Sequence, residues 1–367
     1  MKKYLISGIS PSFGGVGYLM YNLEKLATDS DYTSIYPRYK NKNIKKDITN
    51  PLFILKELSN RFLSKFTFNK SLKKIKNSEV ILIHPQTIGY ENFFELVKNN
   101  TQVKVYVMDN SFFCINSYNV LDNKECFKCL NNINNCDIRC ESFPVKINKD
   151  SNQNYLKEYK HYSNKIKFYA QNRSQALLLQ KHFGIDTDIT VIGMKTGETF
   201  HLNTKQTTQY DIVFHGSNVE AKGIDYMIEL AKILPQYSFF IPSHLQINNL
   251  PQNITHQNIS WSTGLEDLVI NARLVMNPSI WSAPVEGALL KSVYYNGNVG
   301  VVDTEFGFVN DISDENLLKL SSDVKKAKLQ IEQFFDNKTD LKGNSQKWLA
   351  NYLEHECNLE LLFQDAQ

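Results

Sequence analysis

The chain of 367 residues is predicted to fold as an α/β protein with two domains. Short runs of apolar and β-branched residues alternate with segments of helical periodicity, and this alternation favours parallel sheets. The order strand, glycine-containing loop, helix occurs at the start of the chain and again in its second half. A length of 367 residues exceeds one ordinary domain and is typical of two.

The first half of the chain opens with an apolar strand, followed by a glycine loop and a helix whose leucines recur at helical spacing. Buried strands then alternate with helical segments. The predicted strands lie over 3–9, 79–84, 102–108 and 165–170. The predicted helices of this half lie over 18–27 and 174–183.

The same order restarts after the polar stretch 201–209, so we place the domain boundary within 185–205. The predicted helices are 224–234 and a tail from Ser345 onward, and the predicted strands are 211–215, 237–242, 272–278 and 297–302. The predicted organisation is a first domain over 1–190, a second domain over 191–342 and a C-terminal helix over 343–367 that packs back on the first domain.

The composition describes a soluble globular protein and excludes several classes. Hydrophobic residues make up 42% of the chain, which is enough for a sizeable core. A net charge of +3 does not indicate a nucleic-acid partner. No apolar run approaches the roughly 20 residues that span a bilayer. The N-terminus begins with a strand and a glycine loop rather than a signal peptide, so we expect a cytoplasmic protein with reduced cysteines.

A glycine loop, Gly14-Gly15-Val16-Gly17, separates the first strand from the first helix. Glycines at such a junction let the backbone approach an anion, and the helix N-terminus presents N–H groups to that anion. The spacing differs from the dinucleotide-binding fingerprint. A plain tight turn is the alternative interpretation.

The second half opens with a similar loop, in which His215, Gly216 and Ser217 precede Lys222. A lysine ahead of a helix, in the same loop as a glycine turn, is suited to binding a diphosphate, although a solvated lysine is the ordinary alternative. In a two-domain α/β protein both loops are expected to face one cleft.

A carboxylate, Glu286, lies where a loop opens a helix within Pro278–Ser292. Ligands of open α/β sheets bind at the carboxyl ends of the strands, so this carboxylate is well placed to accept hydrogen bonds from ligand hydroxyls. The segment therefore predicts part of a site for a sugar nucleotide.

Together these motifs resemble the "glycosyl transferases group 1" family, which has the GT-B fold. The resemblance covers nearly the whole chain and implies two Rossmann-like domains that face a central cleft. A further stretch, Gly264–Leu268, resembles the family pattern Gly-x-x-x-Glu-Leu. The matching positions are Gly14, Gly15, Gly216, Ser217, Lys222, Gly223, Pro278, Ser279 and Glu286.

The chain departs from the family pattern at several positions. Ser217 stands where the family has a diphosphate-binding arginine, and His215 or His244 is a candidate to compensate, with an ordinary histidine as the alternative.

The loop before Glu286 is shorter by about four residues, which places Ser282 where the family has its first glutamate of Glu-x7-Glu. Ser282 or Glu305 is a candidate to replace that donor-sugar contact. Met108-Asp109 replaces a frequent His-Asp pair.

The resemblance implies a retaining glycosyltransferase of the hexosyltransferase type. It would move a sugar from a nucleotide-diphosphate donor to a glycan acceptor in bacterial capsule or O-antigen (lipopolysaccharide) synthesis. Glu286 would hold the ribose, while Lys222 and the N–H groups of Gly14, Gly15 and Val16 would stabilise the leaving diphosphate without a catalytic metal. Asp109 is the candidate for contacting the acceptor hydroxyl. An inactive binding protein and a nucleotide-sugar epimerase of the same fold remain alternatives.

A cysteine-rich loop over 114–140 predicts a structural metal site. Four thiolates at this spacing fit tetrahedral zinc, whereas an iron–sulfur cluster or a set of plain thiols is the alternative. Cys126, Cys129 and Cys140 are the favoured ligands, and either Cys114 or Cys136 completes the set.

A basic segment over 38–76 contains twelve Lys or Arg and two acids. Its apolar residues recur at near-helical spacing, which predicts contact with an anionic membrane surface or a lipid-linked acceptor. A solvated helix that covers the core is the alternative. The apolar residues are Leu52, Leu55, Leu58, Phe62 and Phe66.

Overall fold

The computed structural model describes residues 1–12, 15–38, 51–195, 208–242 and 249–364. The described chain forms two α/β domains, each built on a six-stranded sheet in which all paired strands are parallel. The predicted fold class is therefore confirmed.

The first domain alternates strands and helices along the chain. Its helices are α1 (Gly15–Asp29), α2 (Pro51–Leu72), α3 (Pro85–Ile88), α4 (Tyr90–Asn99), α5 (Lys128–Asn131), α6 (Lys149–Tyr162) and α7 (Arg173–Phe183). Its strands are β1 (Lys3–Ser7), β2 (Thr33–Ile35), β3 (Glu79–Ile83), β4 (Gln102–Tyr106), β5 (Val120–Leu121), β6 (Lys124–Glu125), β7 (Ile166–Ala170) and β8 (Ile189–Val191). The sheet order is β2-β1-β3-β4-β7-β8, and β5 and β6 form a separate antiparallel hairpin.

The second domain repeats this plan. Its helices are α8 (Ile224–Ile233), α9 (Leu265–Asn271), α10 (Gly287–Tyr295), α11 (Val324–Asp336) and α12 (Lys342–Asn351). Its strands are β9 (Ile212–Phe214), β10 (Phe239–Pro242), β11 (Ile254–Gln257), β12 (Leu274–Asn277), β13 (Val299–Val302) and β14 (Leu318–Leu320), in the sheet order β11-β10-β9-β12-β13-β14.

The central strands are apolar runs because helices cover both faces of each sheet. Every residue of β3, β9 and β12 is buried. One ion pair lies inside the first sheet: Glu79 of β3 is fully buried and pairs with the buried Lys104 of β4 at 2.6 Å. Its carboxylate also accepts a hydrogen bond from the hydroxyl of Tyr32 at 2.5 Å.

The four strands at the sheet edges were not predicted from the sequence. They are β2, β8, β11 and β14, which are short and mostly half-exposed. The predicted boundary at 190/191 falls inside β8, whose pairing with β7 assigns Val191 to the first domain.

The C-terminal segment packs on the first domain. Lys104 donates hydrogen bonds to the carbonyls of Leu362 and Gln364 at 3.0 and 2.7 Å. Phe363 lies edge-on against Tyr32, with 5.2 Å between the ring centroids. The end of the described chain therefore links α12 of the second domain back to the first sheet. No helix among the described residues is both long and apolar enough to cross a membrane.

Candidate active site

A cleft between the two domains contains a cavity of about 710 Å³. Residues at the carboxyl ends of β3 and β4 line it from the first domain, and residues that follow β9 and β12 line it from the second. This is where open α/β sheets bind their ligands. The predicted residues that line it are Val16, Asp109, His215, Gly216, Ser217, Lys222 and Glu286.

Lys222 and Glu286 form an ion pair on the second-domain wall of the cavity. The hydroxyl of Ser279 donates to the second carboxylate oxygen of Glu286 at 2.7 Å, and the indole N–H of Trp281 donates to the first at 3.3 Å. The Lys222 ammonium also lies 5.0 Å from the centre of the Trp281 ring. The two residues predicted to bind ribose and diphosphate are thus neighbours in space.

Local backbone geometry positions this pair. Glu286 is the residue immediately before α10, one position ahead of its predicted place in the first turn. Lys222 ends a 3-10 turn, and Gly223 then adopts a left-handed conformation with φ of 76° at the start of α8. A Cβ at Gly223 would lie 2.0 Å from the carbonyl oxygen of Pro278. Glycine therefore allows the Lys222 loop to approach the Glu286 loop closely.

His215 is buried on the same wall and stacks on Trp261, with ring centroids 5.1 Å apart. Burial, reinforced by the nearby charge of Lys291, lowers the pKa of His215 to about 3. The hydroxyl of Ser292 donates its hydrogen to the carbonyl of Ala288, so it can only accept from the His215 ring. The Nδ1–H of His215 therefore donates to the oxygen of that hydroxyl at 2.8 Å. His215 is therefore neutral near pH 7 and does not supply the positive charge that the arginine-to-serine departure removes.

The first-domain wall carries a buried pair that sequence reasoning missed. His84 follows β3, and its Nε2 lies 3.2 Å from a carboxylate oxygen of Asp109, which follows β4. Burial opposes both charges, but Asp109 raises the pKa of His84, while His84 and Ser111 hold the pKa of Asp109 below its usual value. Each partner's charge therefore favours the charged form of the other. One signal for this pair was available in the sequence: His84 is the last residue of a predicted strand, at the edge of the sheet where the cleft is expected.

Buried polar atoms without a hydrogen-bond partner in the described structure line the cavity on both sides. They include Nδ1 of His84, Oγ of Ser117 and Oε1 of Gln171 in the first domain, and Oδ1 of Asn277 in the second. Buried polar groups are nearly always hydrogen-bonded in folded proteins. These atoms therefore mark positions where a polar ligand or water would bind.

Ser282 is not among the cavity residues. Its hydroxyl donates to Glu125 at 2.7 Å, its N–H donates to the side-chain oxygen of Asn119 at 3.2 Å, and its carbonyl accepts from Asn110 at 3.0 Å. Glu305 is exposed, and its N–H donates to Glu125. The structure therefore does not bring either candidate for the missing glutamate to the Lys222–Glu286 pair.

Two predicted positions, Gly14 and His244, lie outside the described residues. Gly15 is the first residue of α1, so its N–H group belongs to a helix N-terminus. Lys291 of α10 was not predicted, yet it lines the cavity with its ammonium 4.8 Å from the centre of the Trp261 ring.

The clustered cysteines lie apart from the cavity, in the core of the first domain. Cys114, Cys129 and Cys140 are buried there, and Cys136 packs against them. Cys126 is half-buried and does not belong to this core. No three His, Cys, Asp or Glu side chains in the described ranges already stand in an arrangement that could hold a metal ion.

Comparison with known proteins establishes the fold. No protein-family model matches the sequence, and no curated protein is significantly similar to it. Solved structures, in contrast, superpose along almost the whole chain. TarM has a TM-score of 0.63 at 14% identity and is matched over 100% of this chain and 99% of its own. The chain has the GT-B fold.

Two further GT-B structures show the same likeness. Sucrose-phosphate synthase from Thermosynechococcus elongatus has a TM-score of 0.62 at 11% identity, with 99% of this chain and 96% of that chain covered. HepE from Anabaena, solved in complex with UDP, has a TM-score of 0.57 at 11% identity, with 99% and 98% covered. TarM from S. aureus has been solved with UDP and α-GlcNAc-glycerol, among other ligands.

Proposed function

We propose that the protein is a glycosyltransferase that moves a sugar from a nucleotide-diphosphate donor to a glycan acceptor. The observation that carries this proposal is the cleft itself: Lys222 and Glu286 on one wall face a cavity that His84 and Asp109 line from the other. The GT-B structures with bound UDP or UDP-glucose support a nucleotide-sugar donor.

The donor would occupy the second-domain wall. Glu286 would accept hydrogen bonds from the ribose hydroxyls, and Lys222 would turn from Glu286 to the diphosphate. As the bond to the sugar breaks, negative charge develops on the leaving diphosphate, and preorganised donors that face it lower the barrier. Lys222 and the N–H groups of Gly15 and Val16 at the start of α1 are those donors in our proposal.

Lys291 would supply the charge that Ser217 lacks. Its ammonium affects the pKa of His215, so it lies close enough to act electrostatically on a ligand beside that ring. Lys291 lies within α10, five residues after Glu286. We infer that Lys222 and Lys291 share the diphosphate, with neutral His215 as a hydrogen-bonding partner.

The acceptor would approach from the first domain. The Asp109 carboxylate would accept a hydrogen bond from the attacking hydroxyl and orient it, and His84 would keep that carboxylate ionised in a buried setting. By resemblance the transfer retains the anomeric configuration, and the acceptor is a growing bacterial capsule or O-antigen glycan.

A lipid-linked acceptor is supported by helix α2. The side chain of Leu52 lies outside the described residues. The other four residues of the predicted apolar stripe, Leu55, Leu58, Phe62 and Phe66, are all exposed, and Phe62 retains 73% of its accessible surface. Lys56, Arg61, Lys65 and Lys70 lie on the same helix. An exposed apolar stripe with basic flanks is typical of a helix that lies in an anionic membrane interface. We propose peripheral contact with the inner face of the plasma membrane through the segment 38–76, of which 39–50 lies outside the described residues.

A nucleotide- or glycan-binding protein without transfer activity is the second candidate. The observation that favours it concerns the position where the family has its first glutamate. Ser282 stands there and is hydrogen-bonded to the first domain, so this position brings no carboxylate into the cavity. Such a protein would bind the donor without consuming it.

The donor experiment separates these candidates. Purified protein is screened by thermal shift against UDP-, GDP-, dTDP- and CMP-sugars, and the best ligand is then assayed for hydrolysis, transfer and epimerisation. We expect one nucleotide class to raise the Tm and its sugar to be released or transferred. Stabilisation with no turnover supports the nucleotide-binding protein, and an altered sugar still on the nucleotide supports the epimerase. No stabilisation by any sugar nucleotide contradicts the glycosyltransferase, the epimerase and the nucleotide-binding protein.

A further inference from the structure

A hairpin of the first domain reaches across the cleft to the second domain. We name residues 116–127, which contain β5 and β6, the bridging hairpin. Asn119 and Glu125 bind Ser282, and Glu125 also accepts a hydrogen bond from the N–H of Glu305 at 2.5 Å. The N–H of Asn123 donates to Glu220 at 2.9 Å.

Aromatic contacts reinforce this bridge. Tyr118 lies against Trp281, with ring centroids 4.5 Å apart, and its ring is also 5.5 Å from the Lys222 ammonium. Phe127 lies edge-on against Phe306 at 5.4 Å. The bridging hairpin therefore touches the loop that carries Glu286 and the residue that pairs with it.

The hairpin is short. It has two residues in each strand, and an isolated hairpin of this kind is at best marginally stable in water. Its direction therefore depends on contacts with its surroundings, including those at its base, where the cysteines lie. Cys114 precedes the hairpin, while Cys129, Cys136 and Cys140 follow it.

The thiols of these four cysteines are neighbours. The Cys129 thiol interacts with the thiols of Cys114 and Cys136, and the Cys136 thiol interacts with the Cys140 thiol. All four belong to or pack against one core cluster, whereas Cys126 does not. Four thiolates give zinc a closed tetrahedral shell with Zn–S distances of about 2.3 Å. Since the described side chains are not yet at such distances, the sulfurs would draw together on binding.

Positive charge surrounds this thiol cluster. The Lys149 ammonium donates to the carbonyl of Asp137 at 2.5 Å, between Cys136 and Cys140, and acts electrostatically on both thiols. Lys128 and Arg139 pair with the Asp137 carboxylate. A zinc ion with four thiolates carries a net charge of about −2, which neighbouring cations and outer hydrogen bonds stabilise.

We propose that Cys114, Cys129, Cys136 and Cys140 bind one zinc ion, which fixes the base of the bridging hairpin and thereby positions the loop that carries Glu286. Cys126, one of the ligands favoured from spacing alone, is excluded from the set. The site has no open coordination position, so its role is structural. The metal site stands independently of the proposed function, because metal content is measured without any substrate.

The first test is the metal content of the purified full-length chain, prepared with a thiol reductant and without chelator. We expect about one zinc per chain by elemental analysis, falling to about a tenth or less in Cys129→Ser and Cys140→Ser. Cys126→Ser and Cys357→Ser are matched controls that keep the zinc. Metal-free protein, two disulfides, iron with acid-labile sulfide, or zinc loss in Cys126→Ser as large as in Cys129→Ser would each overturn the assignment.

A second measurement avoids variants that fail to fold. Wild-type protein is titrated with a thiol-reactive mercurial while released zinc is followed with a chromophoric chelator. We expect zinc release as about four thiols react, and cobalt substitution should give the thiolate charge-transfer and visible bands of a tetrahedral site. Zinc release after one or two thiols react, or octahedral cobalt bands, would contradict four-thiolate ligation.

Hydrogen exchange tests the positioning role. Zinc removal should accelerate amide exchange across the bridging hairpin and the 279–286 loop at least tenfold, while β9 and β10 exchange as before. Equal protection of the hairpin with and without zinc would leave the ion bound but overturn its role in positioning the cleft. Neither outcome depends on whether the protein transfers a sugar.

Discussion

The His84–Asp109 pair shows how a single buried charge depends on its partner. Both side chains are almost fully buried, and His84 adopts a left-handed backbone conformation with φ of 58° to reach the cleft. Such strain in a non-glycine residue costs about 1–3 kcal/mol and is found at functional sites. In this protein it places an imidazole against the carboxylate that we propose to orient the acceptor.

The pair predicts a pH-dependent stability. The folded pKa of His84 is raised above 6.5, so its contribution is complete below about pH 6.5 and is lost as the pH rises through that folded pKa. The folded pKa of Asp109 is lowered below 3.8, so its contribution is present above about pH 3.8 and is lost on acidification. The pair therefore contributes most to the free energy of unfolding between about pH 4 and pH 6.5.

We expect His84→Gln to lower the free energy of unfolding by about 3 kcal/mol in that window, because it leaves a buried carboxylate unpaired. The difference from wild type should shrink as the pH rises above about 6.5. Urea unfolding of both proteins across the pH range measures it, with the exposed His355→Gln as control. A difference that does not change with pH would contradict an ionised pair.

The position of Lys291 in the cavity predicts that its ammonium balances part of the diphosphate charge. Lys291→Met should weaken nucleoside-diphosphate binding at least tenfold, since a charged hydrogen bond is worth about 1.5–3 kcal/mol. Adding Ser217→Arg to that variant should restore part of the affinity. Isothermal titration calorimetry measures both, with the exposed Lys326→Met as the matched control. Equal affinity in Lys291→Met and wild type would show that Lys291 does not contact the diphosphate.

At this scale the sequence placed some site residues and not others. Lys222 and Glu286 could be predicted because each follows a recognisable strand and opens a helix. The hydrogen bonds of Ser282 could not be predicted, because its partners Asn119 and Glu125 are more than 150 positions away in the chain. The sequence offers His215 as a candidate to compensate for the missing arginine, with an ordinary histidine as the alternative, and its burial beside Ser292 and Trp261 shows that it is neutral.

Among the elements, the loop before α8 depends on one glycine. Gly223→Ala would combine a left-handed φ with a Cβ only 2.0 Å from the Pro278 carbonyl oxygen. Gly264→Ala is the matched control, because φ at Gly264 is also positive but nothing lies within 4 Å of its added Cβ. We expect Gly223→Ala to cost about 1–3 kcal/mol more than Gly264→Ala in chemical unfolding, and to weaken donor binding. Equal costs would mean that the two loops do not meet as described.

Helix α2 predicts membrane binding that can be weakened without harming the fold. Phe62 and Phe66 are exposed to 73% and 60%, so Phe62→Ser with Phe66→Ser should leave the Tm almost unchanged. Sedimentation with anionic phosphatidylglycerol vesicles should fall at least tenfold, because each buried Phe contributes about 1.5–3 kcal/mol. Leu329→Ser, an exposed apolar site elsewhere, is the control. Vesicle binding that survives both serines would exclude this helix as the contact.

The strands that sequence reasoning recovered are those buried on both faces. Central strands such as β3 and β12 are continuous apolar runs and were placed within about two residues. The edge strands β2 and β14 are three residues long and partly exposed, so neither apolar runs nor strict alternation marks them. Their pairing is a tertiary event, set by the register of the strand beside them.

Across the whole molecule, several contacts between described residues join the domains around the cleft. The bridging hairpin crosses from the first domain to the Ser282 loop, Asp311 accepts hydrogen bonds from Ser174 at the start of α7, and the C-terminal segment returns to Lys104. Closure of such a cleft excludes water and aligns donor with acceptor. In the arrangement described, both walls line the same cavity.

The central claim is that Lys222 and Glu286 bind a sugar nucleotide whose sugar is released in this cleft. The most direct measurement is the rate of nucleoside-diphosphate release from the best donor, in wild type, Lys222→Ala, Glu286→Ala and the exposed control Lys326→Ala. We predict losses of about tenfold to a hundredfold or more in kcat/KM for the first two variants and none for the control. Wild-type rates in both cleft variants would contradict the account.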